Sequence, residues 1–287
     1  MFAGTTSARG NTCAQVFTTS FGWTRAFPMK NKGEAHEALS LLFQRDGVPP
    51  ACIVDGAKEQ VLGEFRRKLK EASCRLKLKQ TEPYSPWQNA SEGANRELKR
   101  GSGRKMMKQR SPKKLWDDCL DLESYIRSNT AHDIFTLNAN VPETVMSGET
   151  SDISQFCEFE WYEWVYFRDQ TVSYPEDKLV LGRYLGPSID VGPVLTAKIL
   201  KDNGQIVHRS TYHGLTPEEI ESPFEQAERK KFDEKIEIAL GPKASLEDFQ
   251  ELDAETPIYN SYEDDAGSGM PDPPPEELEP TPEAGDS

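Results

Sequence analysis

Apolar and polar positions alternate from Ala14 through Val16 to Thr18, and the alternation resumes from Trp23 to Phe27 after Phe21-Gly22. That period predicts two strands joined by a tight turn. The period then lengthens: Ala35, Leu39, Leu42 and Phe43 fall on one side of a predicted helix, stopped by Gly47 and two prolines. The stretch "ACIVDG" is a short continuous apolar run, the pattern of a strand buried on both faces, and it ends at Asp55. A second helix is predicted with Val61, Phe65, Leu69 and Ala72 in register, followed by "RLKLKQ" as a strand. The order β-β-α-β-α-β describes an α/β layered domain with a mixed sheet and flanking helices.

Further along, "SPKKLWDDCLDLESYIRSN" predicts a helix with Ser111 as N-cap, Pro112 at its first position, and Leu115, Cys119, Leu122 and Ile126 on one stripe. From about residue 155, "QFCEFEWYEWVYFRD", "LVLGRYLG" and "VLTAKILKDNGQIVHRST" read as strands, with Asp202-Asn203-Gly204 as a hairpin turn. The chain thus divides into an α/β core over 1–132, a linker over 133–154, a small all-β, barrel-like module over 155–221 and a tail over 222–287. The tail is acidic and rich in proline. It lacks the apolar surface to offset its ordering entropy and is expected to be disordered.

Charge sharpens this division. The chain carries a formal −14, yet residues 221–287 hold 20 acidic and 5 basic residues, which leaves 1–220 at +1. The average therefore does not exclude a nucleic-acid partner. Five scattered cysteines without a C-x-x-C pair argue against zinc ribbons and disulfide frameworks. No apolar run approaches a membrane span and no signal pattern opens the chain, so a nuclear or cytoplasmic location without a membrane partner is expected.

Two carboxylates fall where a metal site in such a sheet belongs. Asp55 ends a buried strand, and ligands of open α/β sheets bind beyond the carboxyl ends of strands. Glu92 follows 37 positions later, at the start of the next helix, a separation that lets it return beside Asp55. Oxygen ligands suit Mg2+ or Mn2+, and two such ions clamping the attacking and leaving oxygens drive phosphoryl transfer. Each residue also has a plainer reading: Asp55-Gly56 as a turn, and Asn89 with Glu92 as a capping box.

The helix over 93–114 carries Arg96, Lys99, Arg100, Arg104, Lys105, Lys108, Arg110, Lys113 and Lys114 against the single acid Glu97. A run of one sign beginning at the candidate metal site favours phosphate contact over a merely solvated face, although Glu97 can pair locally with Arg100. In the preceding loop Tyr84 and Trp87 can stack on bases, with Gln88 and Asn89 as hydrogen-bonding groups. Packing of Trp87 onto the sheet edge is the equal alternative. His36, His132, His208 and His213 are too dispersed to form a ligand set.

These residues carry a resemblance. "SPWQNASEGANRELKR" resembles the Pro-x-Gln-Asn, Glu, Asn-Arg signature of retroviral-type integrases, in particular those of copia-type LTR retrotransposons, and "CIVDGAKEQ" resembles their strand-end Asp segment. The likeness covers about residues 11–130 and implies an RNase H-like core in which Asp55 and Glu92 are catalytic and metal-binding. It implies Mg2+-dependent trimming of DNA ends and their joining to target DNA, with DNA as partner and room for a homo-oligomer. The family uses a third carboxylate on its first strand, whereas residues 1–33 contain no Asp or Glu. Asp55 is followed by Gly-Ala-Lys-Glu instead of the usual Asn and Gly-Gly-Glu, and the Pro86–Glu92 loop is one residue short. The expectation is therefore a truncated integrase-type core that binds DNA with little strand transfer. A non-catalytic scaffold remnant of a transposable element is the alternative, and an RNase H-like nuclease of another lineage would not call for the Pro-Trp-Gln-Asn loop.

Overall fold

A computed structural model describes residues 2–54, 63–72, 77–80, 90–132, 137–170, 175, 178–192 and 195–245. Strands β1 (Phe2–Ala3), β2 (Cys13–Thr18) and β3 (Thr24–Met29) form an antiparallel sheet in that order. The β2–β3 register runs from Cys13 opposite Met29 to Thr18 opposite Thr24. Their turn closes through the Thr19 N–H on the Trp23 carbonyl at 2.9 Å, with Gly22 at φ 85° taking the left-handed position that a side chain disfavours. The pleat sends Cys13, Phe27 and Met29 to one face and Ala14, Val16 and Ala26 to the other, and both faces are covered.

Helix α1 (Ala35–Asp46) buries Ala35, Ala38, Leu39 and Leu42 on the first face and ends at Gly47, φ 87°. Strands β4 (Ala51–Val54) and β5 (Lys77–Gln80) pair in parallel, and helix α2 (Gly63–Ala72) adds Phe65 and Leu69 to the cluster that holds Val54. The single mixed sheet expected from the element order is, among the described residues, two sheets: β1 is two residues long and pairs with β2. Nor is β4 buried on both faces. Ile53, which the pleat turns away from Val54, is 53% exposed.

On the second face lie helices α3 (Ala90–Gln109) and α4 (Trp116–Ser128), which bring Leu98 and Leu120 against Ala14, Val16 and Ala26. Helices thus cover both faces of a β layer, the arrangement of a mixed α/β fold. Ser111 does not cap α4. A 3-10 turn over Lys113–Leu115 intervenes, and the Ser111 hydroxyl accepts the Trp161 indole N–H at 3.0 Å.

The β-rich part is a five-stranded antiparallel sheet of β6 (Trp164–Arg168), β7 (Leu179–Pro187), β8 (Ala197–Leu200), β9 (Ile206–Arg209) and β10 (Tyr212–Gly214), in the order β10-β6-β7-β8-β9. Among the described residues no β9–β10 pairing closes it, so the expected barrel is an open sheet. The β8–β9 hairpin turns where expected, with Gly204 at φ 82°.

This sheet packs against α3 and α4. Leu185 and Leu200 share one cluster with Met106 of α3 and Leu115, Cys119 and Leu122 at α4. Gly186 (φ 109°) permits the approach: a Cβ there would stand 3.0 Å from Leu122 Cδ1. The segment expected to be a linker carries helix α5 (Pro142–Ser147), and helix α6 (Ser154–Cys157) replaces the start of the first predicted strand of the β module. A helix also lies within the span expected to be the tail. Helix α7 (Pro217–Glu221) has a Thr216 capping box, and helix α8 (Pro223–Leu240) buries Phe232, Ile236 and Leu240 in the same cluster. Arg183, stacked 3.2 Å over the Trp164 ring, donates to Asp233 of α8 at 3.0 Å. Residues 246–287 lie outside the described residues.

Candidate nucleic-acid interface

The first turn of α3 presents Glu92, which is exposed. Glu92, Arg96 and Lys99 stand at i, i+4 and i+7, so they line one stripe of the helix over a rise of about 10 Å. Leu98 and Met106 hold the buried side of α3. A carboxylate and two cations thus share one stripe of a packed helix. Asp55, Trp87, Gln88 and Asn89 lie outside the described residues, as does Tyr84. Val54, which precedes Asp55, is 4% exposed and anchored against α2.

The helix ends at Gln109, so Arg110, Lys113 and Lys114 of the basic run lie beyond it, and the remaining cations of the run divide into two kinds. Arg100 reaches Glu97 at 3.3 Å, and the Arg127 guanidinium stands 3.9 Å from the same carboxylate. Lys105 pairs with Glu123, an otherwise buried acid of α4. Lys108 donates to both oxygens of Glu160 at 2.8 Å, and Gln109 adds a bond at 2.7 Å. This lowers the Glu160 pKa, the Lys108 hydrogen bond being the main cause. Arg104, Arg110 and Lys114 are exposed. Expected phosphate contacts therefore include residues already engaged by carboxylates; Glu97 is the local partner already expected for Arg100, whereas Glu123 and Glu160 lie far along the chain, beyond the reach of a local reading.

Mg2+ is implied for the family, and a carboxylate such as Glu92 is a suitable oxygen donor. Among the described residues, however, no group of three or more His, Cys, Asp or Glu is placed to hold a metal ion. Asp55 lies outside the described residues, so of the two candidate ligands only Glu92 is among them.

Sequence reasoning missed a second polar cluster, at the start of α4. Asp117 and Asp118 are each 2% exposed, inside a helix for which the sequence pattern marked only the apolar stripe. Arg9 pairs with Asp118, Asn11 Nδ2 donates to Asp117 at 2.8 Å, and Lys198 Nζ donates to Asp121 at 3.0 Å. Burial, against the pull of Lys198 and Arg9, pushes the Asp118 pKa up to about 6. Burial presses the Lys198 ammonium the other way, but Asp121 and Asp118 outweigh it and its pKa is raised. The available signal was the register: Asp118 stands one turn before Leu122 on the buried stripe.

No protein-family profile matches the chain, and no curated protein matches it. Among solved structures, the chain is similar to one in the cryoEM structure of simian T-cell lymphotropic virus intasome in complex with PP2A regulatory subunit B56 gamma. The likeness covers 71% of this chain and 77% of that chain, at 13% identity and a TM-score of 0.39.

Proposed function

We propose that the chain is an integrase-type, RNase H-like domain of copia-type retrotransposon character that binds DNA along α3. The observation that carries this reading is the stripe Glu92–Arg96–Lys99: two cations suited to backbone phosphates follow one helix side from the carboxylate that the sequence signature marks as catalytic. The signature "SPWQNASEGANRELKR" supplies the family, and the pairing of Asp55 with Glu92 belongs to this proposal. Residues 1–33 bring no carboxylate to the pair, so Mg2+-dependent end joining by this chain alone is expected at background.

Filter binding of the full chain to duplex DNA over a salt series tests it. Affinity should fall steeply with salt, and Arg96→Ala and Lys99→Ala should each flatten the log–log slope by about 1. A salt-independent signal, or slopes unchanged in both variants, removes the DNA reading.

A non-catalytic interaction scaffold is the second reading. It is favoured by the commitment of Lys105 to Glu123 and of Lys108 to Glu160, which takes cations away from phosphate. Under it the same series gives no measurable DNA binding.

A further inference from the structure

The β7–β8 loop, α1 and the first turns of α4 enclose a cavity of about 400 Å3, within the range of small-ligand sites. Six carboxylates line it: Glu34, Glu37, Asp117, Asp118, Asp121 and Asp190. Three permanent cations face them, Arg9, Arg45 and Lys198.

The internal pairs leave one gap. Arg45 pairs with Asp190, and Lys198 donates to Asp121 while standing 3.8 Å from Asp118 Oδ1, the oxygen that Arg9 also holds. Both Asp117 oxygens are taken, one by Asn11 at 2.8 Å and one by the Asp118 N–H at 3.1 Å. Asp118 Oδ2 is buried and has no hydrogen-bond partner among the described residues. A buried carboxylate oxygen without a donor is costly, so the cluster leaves one acceptor open to a donor.

The rim specifies what kind of cation. Leu41, Ile189 and Val191 line the cavity and remain 43%, 42% and 48% exposed. An apolar rim over an acidic floor suits a charge carried on an alkyl stem. A divalent ion is less suited, because Arg9 and Lys198 already crowd the carboxylates it would need.

We propose that this cavity binds the guanidinium or ammonium group of an alkyl cation, its charge against Asp118 and Asp121 and its stem along Leu41, Ile189 and Val191. The site is independent of α3 and of the DNA reading. Calorimetric titration of the full chain with agmatine in one arm and N-acetyl-arginine amide in the other tests it. Saturable binding is expected, weakened about tenfold by Asp121→Asn, which removes a carboxylate from the floor. Glu37→Gln, at an exposed rim position that leaves the interior pairs intact, should weaken it about threefold, so the result does not hang on one variant. Tighter binding of agmatine assigns the site to a free small-molecule cation, and tighter binding of the amide assigns it to an arginine side chain. Absence of saturable heat in both arms, or affinities that both variants leave unchanged, overturns the proposal.

Discussion

Lys105 of α3 and Glu123 of α4 form an ion pair across the contact between the two helices, with Glu123 buried and Lys105 largely covered. Gly101, one turn before Lys105, makes room for it. A Cβ at that position would lie 2.5 Å from the Glu123 Cδ. One residue of the basic run is therefore a structural cation, which neutralises an acid that α4 carries into the interior.

Removing that cation strands the acid. Lys105→Ala should destabilise the fold by about 2–3 kcal/mol, because a buried charge that loses its partner keeps its desolvation cost. Arg104→Ala, at an exposed position, should stay within about 0.5 kcal/mol. Urea unfolding of the two variants checks the contrast. Equal stability would mean that Glu123 finds water or another donor once Lys105 is gone.

Gly101→Ala sets two effects of opposite sign against each other. Alanine favours a helix interior by about 1 kcal/mol over glycine, while overpacking costs about 1–3 kcal/mol. The added methyl meets the carboxylate of an anchored side chain, so steric cost should win and the melting temperature should fall. The double variant Gly101→Ala with Glu123→Ala should recover the steric part, although Lys105 then lacks its partner. A Gly101→Ala single variant more stable than the parent chain would show that Glu123 swings aside freely.

Much of this architecture was legible where a short stretch determines its own structure. The β2–β3 hairpin announced itself through Ala14 and Val16 alternating ahead of Gly22, and α1 through Leu39 and Leu42 ahead of Gly47. The Glu92–Arg96–Lys99 stripe follows from helical spacing alone. What could not be read depends on distant partners. Glu123 lies 18 residues from Lys105, and Glu160 lies 52 residues from Lys108, so a one-signed run looked free. Leu122 and Leu185 share one core cluster across the expected boundary near residue 133, a packing that no local pattern displays. Helix α8 hid in an acidic average, since Phe232, Ile236 and Leu240 form only a narrow stripe among charged residues.

That stripe gives a sharp test of where the fold ends. Phe232 packs edge-on against Trp164, ring centroids 5.2 Å apart, and Phe232→Ala should cost about 3–4 kcal/mol. A chain ending at Ser245 should retain the parent melting temperature. One ending at Glu221 should lose cooperative unfolding, because it exposes the β6–β7 face and leaves the buried Arg183 without Asp233. Calorimetry on the two truncations decides it, and equal transitions would place the fold boundary before α8 after all.

Asp118 sets a pH dependence of unusual sign for a carboxylate beside cations. Its folded pKa is about 6 against a usual 3.8, because burial outweighs Lys198 and Arg9, with Asp117 and Asp121 pushing the same way as burial. The native state therefore holds a proton that the unfolded state has released between about pH 4 and pH 6. Stability from this group is present at the acidic end of that window and is lost as pH rises through about 6, by about 3 kcal/mol in all. Other carboxylates add their own slopes, so the informative quantity is the difference between the parent chain and Asp118→Asn, whose amide does not titrate. That difference should grow in favour of the parent as pH falls from 7 to 4, when measured by denaturant unfolding at each pH. Parallel stability curves would mean that Asp118 is ionised at no net cost, and that Arg9 and Lys198 fully compensate its burial.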